Sequence, residues 1–593
     1  LFDILNFKYF RLDIFEKETY IIAIRRSGEK PMMADQTNNA NPLSFDLGSS
    51  KAAVESRLCA WTENNLTGKI WRKDPTVWSA EASSQDIIDR LGWLSLPESM
   101  QNQVEEIAGF SQEIKNEGFR HVVLLGMGGS SLAPAVFQDT FGNLGYPELI
   151  ALDSTHPSTI RSVASKIEPL KTLFLVSSKS GTTLETLSLF AYFWDLTSRF
   201  TPNPGRNFVA ITDPGTPLVN LAEDRSFRRI FPAPEDVGGR YSALSVFGIV
   251  PAALIGVDIE RMLNHSLKMA EACKLSFDCS QNPGASLGVA LGELGISGRD
   301  KITFITASEF ASFPLWLEQL IAESTGKKNK GFVPIAGEAL GAPASYGKDR
   351  VFVWISLSGH ASEVENKLTA LQSAGHPIIR INLAELSDLG QEMFRWEFAT
   401  AVAGAILQID PFDQPDVQLA KDLAKKAMEQ KKEEKTAGEI TSVFQEKQLS
   451  NELRNFISSI KPGDYIGIQA YLDPDSKISN ELDKLRNELR DSLHCATTVG
   501  FGPRFLHSTG QLHKGGPDTG VFLQLVDQAG RPEVDLQIPG RNYTFGQLIQ
   551  GQAEGDFQAL KGLGRRTLKI DLGENAASGL AELASSINEL LQK

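Results

Sequence analysis

At 593 residues the chain is long enough for two or more domains with sizeable cores. Hydrophobic residues at 41% and charged residues at 22% suit a folded globular protein, and a formal net charge of −14 without a long basic run argues against bulk nucleic-acid binding. No apolar run reaches membrane-spanning length, and Cys59, Cys273, Cys279 and Cys495 are too scattered for a disulfide framework or a paired-cysteine zinc site, which fits a reducing cytoplasm.

The first segment, residues 1–49, reads as an extension or arm. Leu1 to Arg26 is apolar but broken by Asp3, Lys8, Arg11, Asp13, Glu16 and Lys17, so it is not a secretory signal. Two readings stay open: a leader ahead of a start near Met33, or a native arm packed on the surface. From Ser50 to Gly118 the pattern is helical, with apolar residues three and four apart in 52–64 and 84–94. Strands then alternate with helices. His121 to Leu125, Glu148 to Asp153, Thr172 to Val176 and Asn207 to Thr212 read as strands of a parallel sheet covered on both faces.

Leu244 to Cys273 and Asn282 to Glu293 read as helical. A second alternation follows Lys301, with strands over Ile302 to Thr306, Arg350 to Leu357 and Pro377 to Leu383. Ala420 to Phe456 reads as a charged helix, and its run Lys431-Lys432-Glu433-Glu434-Lys435 as a solvated face. Tyr465 to Leu472, Val521 to Val526 and Thr567 to Leu572 are later strands. The fold class is therefore α/β: two doubly wound domains with mostly parallel sheets, over 50–300 and 301–593, the second with an extended C-terminal part.

In an open parallel sheet, ligands bind at the carboxyl ends of the strands. The most informative such place is Ser177-Ser178-Lys179-Ser180-Gly181-Thr182-Thr183, between a buried strand and a helix. One helix cap needs one hydroxyl, and this turn offers five. Glycine lets the backbone approach an anion, and amides at a helix start point at it. The turn reads as a phosphate cradle. Gly126-Met127-Gly128-Gly129-Ser130-Ser131 half-matches a dinucleotide fingerprint, with Ser131 in place of the last glycine. It reads better as a polar backbone rim around a small phosphorylated ligand.

Asp236-Val237-Gly238-Gly239-Arg240-Tyr241-Ser242 offers a guanidinium fork for an anion or a developing oxyanion. On the helix Phe313 to Ser324, Gln319 and Glu323 are four apart and share a face. That suits a proton-shuttling carboxylate, although spacing alone favours two solvated side chains. Gln414 and Lys421 are seven apart, two helical turns, and can face one cleft. His507 and His513 in FLHSTGQLHKGG can serve acid/base work. No third ligand is evident for a metal, and none is expected as cofactor.

In this order, LLGMGGSSLAP (124–134), SSKSGTTLET (177–186), VGGRYSALS (237–245), EQLIAESTGK (318–327) and PFDQPDVQLAK (411–421) resemble the glucose-6-phosphate isomerase family. The resemblance implies two sugar-isomerase α/β domains and an aldose-ketose isomerase working through ring opening and a cis-enediol. It implies Glu323 as the base, Arg240 against the enediolate charge, and Lys421 near the ring oxygen. Ser178, Lys179, Ser180, Thr183 and Thr186 would hold the phosphate. Gly129 and Ser130 would line the sugar, with Gln319 and Gln414 as further polar contacts, and His507 of the tail run is a further substrate-binding candidate. A homodimer acting on a small sugar phosphate is expected, without a nucleic-acid or membrane partner.

One departure matters. The family places a ring-opening histidine in a glycine-rich segment after the base helix, and Gly337 to Lys348 here contains none. The tail is expected to supply it, from His513 in preference to His507 because Lys514-Gly515-Gly516 follows directly. The tail also resembles the isomerase half of fused transaldolase/isomerase proteins. There is no room for a barrel of about 250 residues before Leu124, so isomerase activity without transaldolase activity, or a chain separated from its partner half, is expected. Competing readings are an isomerase of another phosphorylated sugar such as mannose 6-phosphate, a non-catalytic sugar-phosphate sensor, and a dinucleotide-dependent oxidoreductase.

Overall fold

A computed structural model describes residues 43–79, 85–358, 362–416, 422–423 and 440–592. The expected leader, the Lys431 to Lys435 run and Lys421 lie outside the described residues.

Among the described residues, fifteen strands build three five-stranded sheets. The first contains β2 (His121–Leu125), β3 (Glu148–Leu152), β4 (Thr172–Ser177), β5 (Phe208–Thr212) and β6 (Arg229–Pro232), in the order β3-β2-β4-β5-β6, all parallel. The second contains β1 (Leu43–Asp46), β7 (Lys301–Thr306), β8 (Val333–Ile335), β9 (Arg350–Leu357) and β10 (Ile378–Leu383). Its order is β1-β10-β9-β7-β8, and only β1 runs antiparallel. Apolar runs buried on both faces explain the central strands: β4 is buried along its whole length, and β9 along all but its last residue.

The α/β class with mostly parallel sheets stands. The tail, expected to extend the second domain, carries a sheet of its own. It contains β11 (Thr441–Ser442), β12 (Tyr465–Tyr471), β13 (Ala496–Phe501), β14 (Gly520–Val526) and β15 (Arg566–Asp571), in the parallel order β11-β15-β14-β12-β13. It also has its own apolar core around Leu482, Leu485, Leu523 and Leu583.

Counted from β2, β7 and β12, each sheet places its strands second-first-third-fourth, with a fifth at the flank. The fifth is the next strand in the first sheet and an upstream strand in the other two. That is the doubly wound order, in which the crevice lies at the carboxyl ends of the first and third strands.

The helices Pro283–Ile296 and Leu389–Leu407 pack at the centre of the largest core. Gly288 and Gly292 permit their close approach: a Cβ at Gly288 would lie 2.4 Å from the Ala399 carbonyl oxygen. The segment 244–273, read as one helical stretch, is two helices, Val246–Leu254 and Ile259–Ala272. Gly256 at φ +88° turns the chain between them, and Asp258 caps the second through the Arg261 amide.

Candidate active site

The loops after β2 and β4 form one wall. Gly128 has φ +53°, and a Cβ there would lie 2.6 Å from the His507 carbonyl oxygen and 2.8 Å from Gln319 Nε2. A Cβ at Gly129 would lie 2.1 Å from the Gly239 oxygen, so only glycine lets the loop after β2 meet the turn Gly239–Tyr241 that carries Arg240. Ser130 is buried beside them, its carbonyl accepting from Ser177 Oγ at 3.3 Å.

In the second loop Ser178 Oγ and Thr183 Oγ1 are 2.9 Å apart, as are Ser180 Oγ and Thr182 Oγ1. Gly181 turns at φ +65° against Thr216 and Leu218. The helix Leu184–Ser198 starts here without a side-chain hydrogen bond from its cap residue Thr183, so its first amides stay available to an anion. Thr186 is buried, and its hydroxyl has no hydrogen-bond partner among the described residues. Lys179 turns away from the hydroxyls: its Nζ pairs with Asp213 and donates to the Pro234 and Glu235 carbonyls at 3.4 and 3.3 Å.

The helix Phe313–Thr325, which carries Gln319 and Glu323, is almost wholly buried. Gln319 and Glu323 therefore point into protein, which decides against the solvated reading. Arg240 Nη1 stands 3.1 Å from Glu323 Oε1, and Gln319 Nε2 donates to Glu323 Oε2 at 3.1 Å and to the His507 carbonyl at 2.7 Å. Arg240 is 4% exposed; its Nη2 donates to the carbonyls of Pro411 at 2.9 Å and Asp413 at 2.7 Å. Gln414 follows that turn and is exposed.

The two tail histidines part company. His507, in the turn Arg504–His507 after β13, places Nε2 3.0 Å from Glu185 Oε1, which also accepts from Gln552 Nε2 at 2.6 Å. His513 does not reach this cluster. It lies within the core of the third sheet, 4.8 Å from the Phe522 ring, with Nδ1 3.2 Å from Gln469 Nε2. Burial, with Lys514 and Arg565 adding repulsion, pushes its pKa well below the usual imidazole value. Its glycine neighbours serve packing: a Cβ at Gly515 would lie 2.2 Å from Asp416 Oδ2. Glu185, a partner missed in the sequence, sits inside the SSKSGTTLET motif but meets His507 across 322 positions.

The histidine-free segment after the helix Phe313–Thr325 is bound instead to the helix Ser476–Leu493 of the third sheet. Buried Glu338 pairs with Arg350 at 2.8 Å and stands 3.7 Å from Arg490 of the helix Ser476–Leu493. Arg486 of that helix donates to the Ala336 carbonyl at 2.8 Å. Elsewhere, His265, Glu385 and Asp388 gather three ligand-type atoms within 4.8 Å. His265 Nδ1 is already 2.7 Å from Asp388, and Arg261 pairs with Glu385.

The family model for phosphoglucose isomerase matches residues 94–340. The chain is 28% identical over 412 residues to the glucose-6-phosphate isomerase of Rubrobacter xylanophilus, covering 60% of this chain and 94% of that one. Among solved structures it resembles a hypothetical protein of Thermus thermophilus (TM-score 0.56, 25% identity, 65% of this chain and 99% of that one). It shares its fold with a glucose-6-phosphate isomerase of Chlamydia trachomatis (TM-score 0.54, 18% identity, 67% of this chain and 89% of that one). By these matches residues 94–340 carry a phosphoglucose isomerase domain, and the chain resembles glucose-6-phosphate isomerases over about three fifths of its length.

Proposed function

We infer that this chain interconverts glucose 6-phosphate and fructose 6-phosphate, as an aldose-ketose isomerase. The observation that carries the residue assignment is the buried cluster Arg240–Glu323–Gln319, facing a sheet edge built of hydroxyls and amides. In this reading the hydroxyls of Ser178, Ser180 and Thr183 and the first amides of the helix Leu184–Ser198 hold the phosphate dianion. His507, oriented by Glu185, passes a proton to the ring oxygen as the sugar opens. Glu323 takes the proton from carbon 2 and returns it to carbon 1. Arg240 faces the enediolate charge, worth most where water is excluded. Gln414 adds a polar contact. His507 takes the role expected of His513, because His513 is sealed among aromatic rings.

The test is Glu323→Gln. It should keep the fold and phosphate binding, while turnover of fructose 6-phosphate in a coupled assay falls about a hundredfold to ten-thousandfold. Near-normal turnover overturns the assignment. Offering mannose 6-phosphate to the unmodified chain separates the narrower from the broader substrate reading.

A further inference from the structure

The last residue of EQLIAESTGK has no role in the chemistry above, yet it is among the most tightly held cations of the described residues. Lys327 lies two residues past the base helix, with a side chain 3% exposed. Its Nζ donates to the Asp410 carbonyl at 2.6 Å and the Asp413 carbonyl at 2.5 Å, and lies 2.6 Å from Asp413 Oδ1. Arg240 grips the same turn from its other side, through Pro411 and Asp413. The turn is closed internally by the Phe412 amide on Asp410 Oδ1 at 2.8 Å, and Phe412 packs 5.3 Å from Tyr241 and 5.0 Å from Trp78.

Two buried cations on one set of carbonyls is a costly arrangement unless the acceptors are fixed. Each cation fixes them for the other. The carbonyl of Asp413 is shared, so the aim of the Arg240 fork toward Glu323 depends on where Lys327 holds that oxygen. We propose that Lys327 is a positioning residue: it fastens the turn 410–413 to the end of the base helix and thereby sets Arg240 against Glu323 and Gln414 beside the cleft. The proposal rests on the assignment of Glu323 and Arg240 above.

Charge state supports the geometry. Burial and the facing Arg240 bring the Lys327 pKa down to about 8, while Asp413 and Asp410 hold it up; these are the charged groups that face it. The fastening is complete below that pH and loosens above it, as the ammonium gives up its proton.

The experiment is steady-state kinetics on the full chain with Lys327→Met and Lys327→Arg, with inhibition by inorganic phosphate as a separate readout. Misplacing the Arg240 fork should lower kcat about tenfold to a hundredfold in Lys327→Met. Phosphate inhibition, which reports the Ser178 to Thr183 loop, should stay within about threefold because no new phosphate contact is lost. Lys327→Arg should recover most of kcat and lose the fall in kcat above about pH 8. Unchanged kcat in Lys327→Met overturns the proposal, as does parallel loss of kcat and phosphate inhibition. If Lys327→Met does not fold, Asp413→Ala at the exposed end of the contact decides, with lowered kcat supporting and unchanged kcat refuting. Turnover that survives Glu323→Gln sinks the base assignment and not the fastening. A dead Glu323→Gln beside a normal Lys327→Met sinks the fastening alone.

Discussion

The first and third sheets share strand order, and their crevices carry opposite chemistry. After β2 and β4 stand glycines, serines and threonines, neutral donors that suit an anion. After β12 and β14 stand Asp473 and Asp527. Asp473 accepts from Thr159 Oγ1 at 2.7 Å, and Asp527 Oδ2 lies 3.1 Å from His156 Nε2. The third crevice is thus filled by the start of the helix Pro157–Lys166 of the first sheet. The contact is reciprocal: Arg504 reaches Asp153 at 2.7 Å, and Arg161 donates to the Val534 and Asp535 carbonyls at 2.6 and 2.7 Å. Topology sets where a doubly wound sheet has its crevice. The residues there decide whether it holds a ligand or a neighbouring element.

His507 is where that division is least clean, since it follows β13 of the third sheet and pairs with Glu185 beside the first sheet's hydroxyl loop. His507→Ala should slow conversion of the ring-closed substrate about a hundredfold to ten-thousandfold and leave proton exchange on an open-chain analogue nearly unchanged. His513→Ala should instead destabilise the third sheet. Equal loss of both reactions in His507→Ala would return the third sheet to docking alone.

The junction of the sheets should also answer to pH. Burial raises the pKa of Glu318, on the base helix, from 4.5 to about 7, while Arg486 and Arg504 pull it down. A carboxyl raised in the fold contributes stability that is full below pH 4.5 and lost as pH rises through about 7. The shift corresponds to on the order of 3 kcal/mol. Denaturant midpoints at pH 5 and pH 8 should fall more steeply for the unmodified chain than for Glu318→Gln. Parallel slopes would mean that the junction does not titrate there.

The smallest effect tests the crevices directly. Ser178→Ala with Thr183→Ala removes two neutral donors, each worth about 1 kcal/mol, and should weaken phosphate inhibition about thirtyfold. Asp527→Asn in the third crevice should leave phosphate inhibition alone and cost about 1 kcal/mol of stability. Loss of phosphate inhibition in Asp527→Asn would break the comparison.

Most strands were legible because a buried strand is a short apolar run. His121 to Leu125, Thr172 to Val176 and Arg350 to Leu357 lie within or on the observed β2, β4 and β9. The missed strands are short or lack that signal. β13 reads Ala-Thr-Thr-Val-Gly-Phe, β11 is two residues, β1 is a partly exposed flank strand, and β6 and β8 are four and three residues long and each contain a proline. The hydroxyl loop and Arg240 stood out because each lies in a local run of unusual composition, whereas Gln319 and Glu323, whose spacing alone favours a solvated pair, stood out through the motif EQLIAESTGK and its family resemblance. The choice between His507 and His513 was not local. It depends on which of two residues six apart faces Glu185 and which faces Phe522, and only long-range packing sets that. Likewise, spacing cannot show that the Asp410 to Asp413 carbonyls converge on Lys327 and Arg240 from distant parts of the chain.

The second sheet is bounded on one flank by β1, which pairs Leu43 to Asp46 antiparallel with Ile381 to Ile378. Its partner β10 reads Ile-Ile-Arg-Ile-Asn-Leu, and four of its six residues are buried. A form of the protein trimmed past Asp46 would keep every residue of the site and bare that strand's outer amides and carbonyls. An apolar open rim is a template for a strand from another copy. The four residues of β1 therefore cover that rim, and a shortened form that keeps it covered has to begin at or before Leu43.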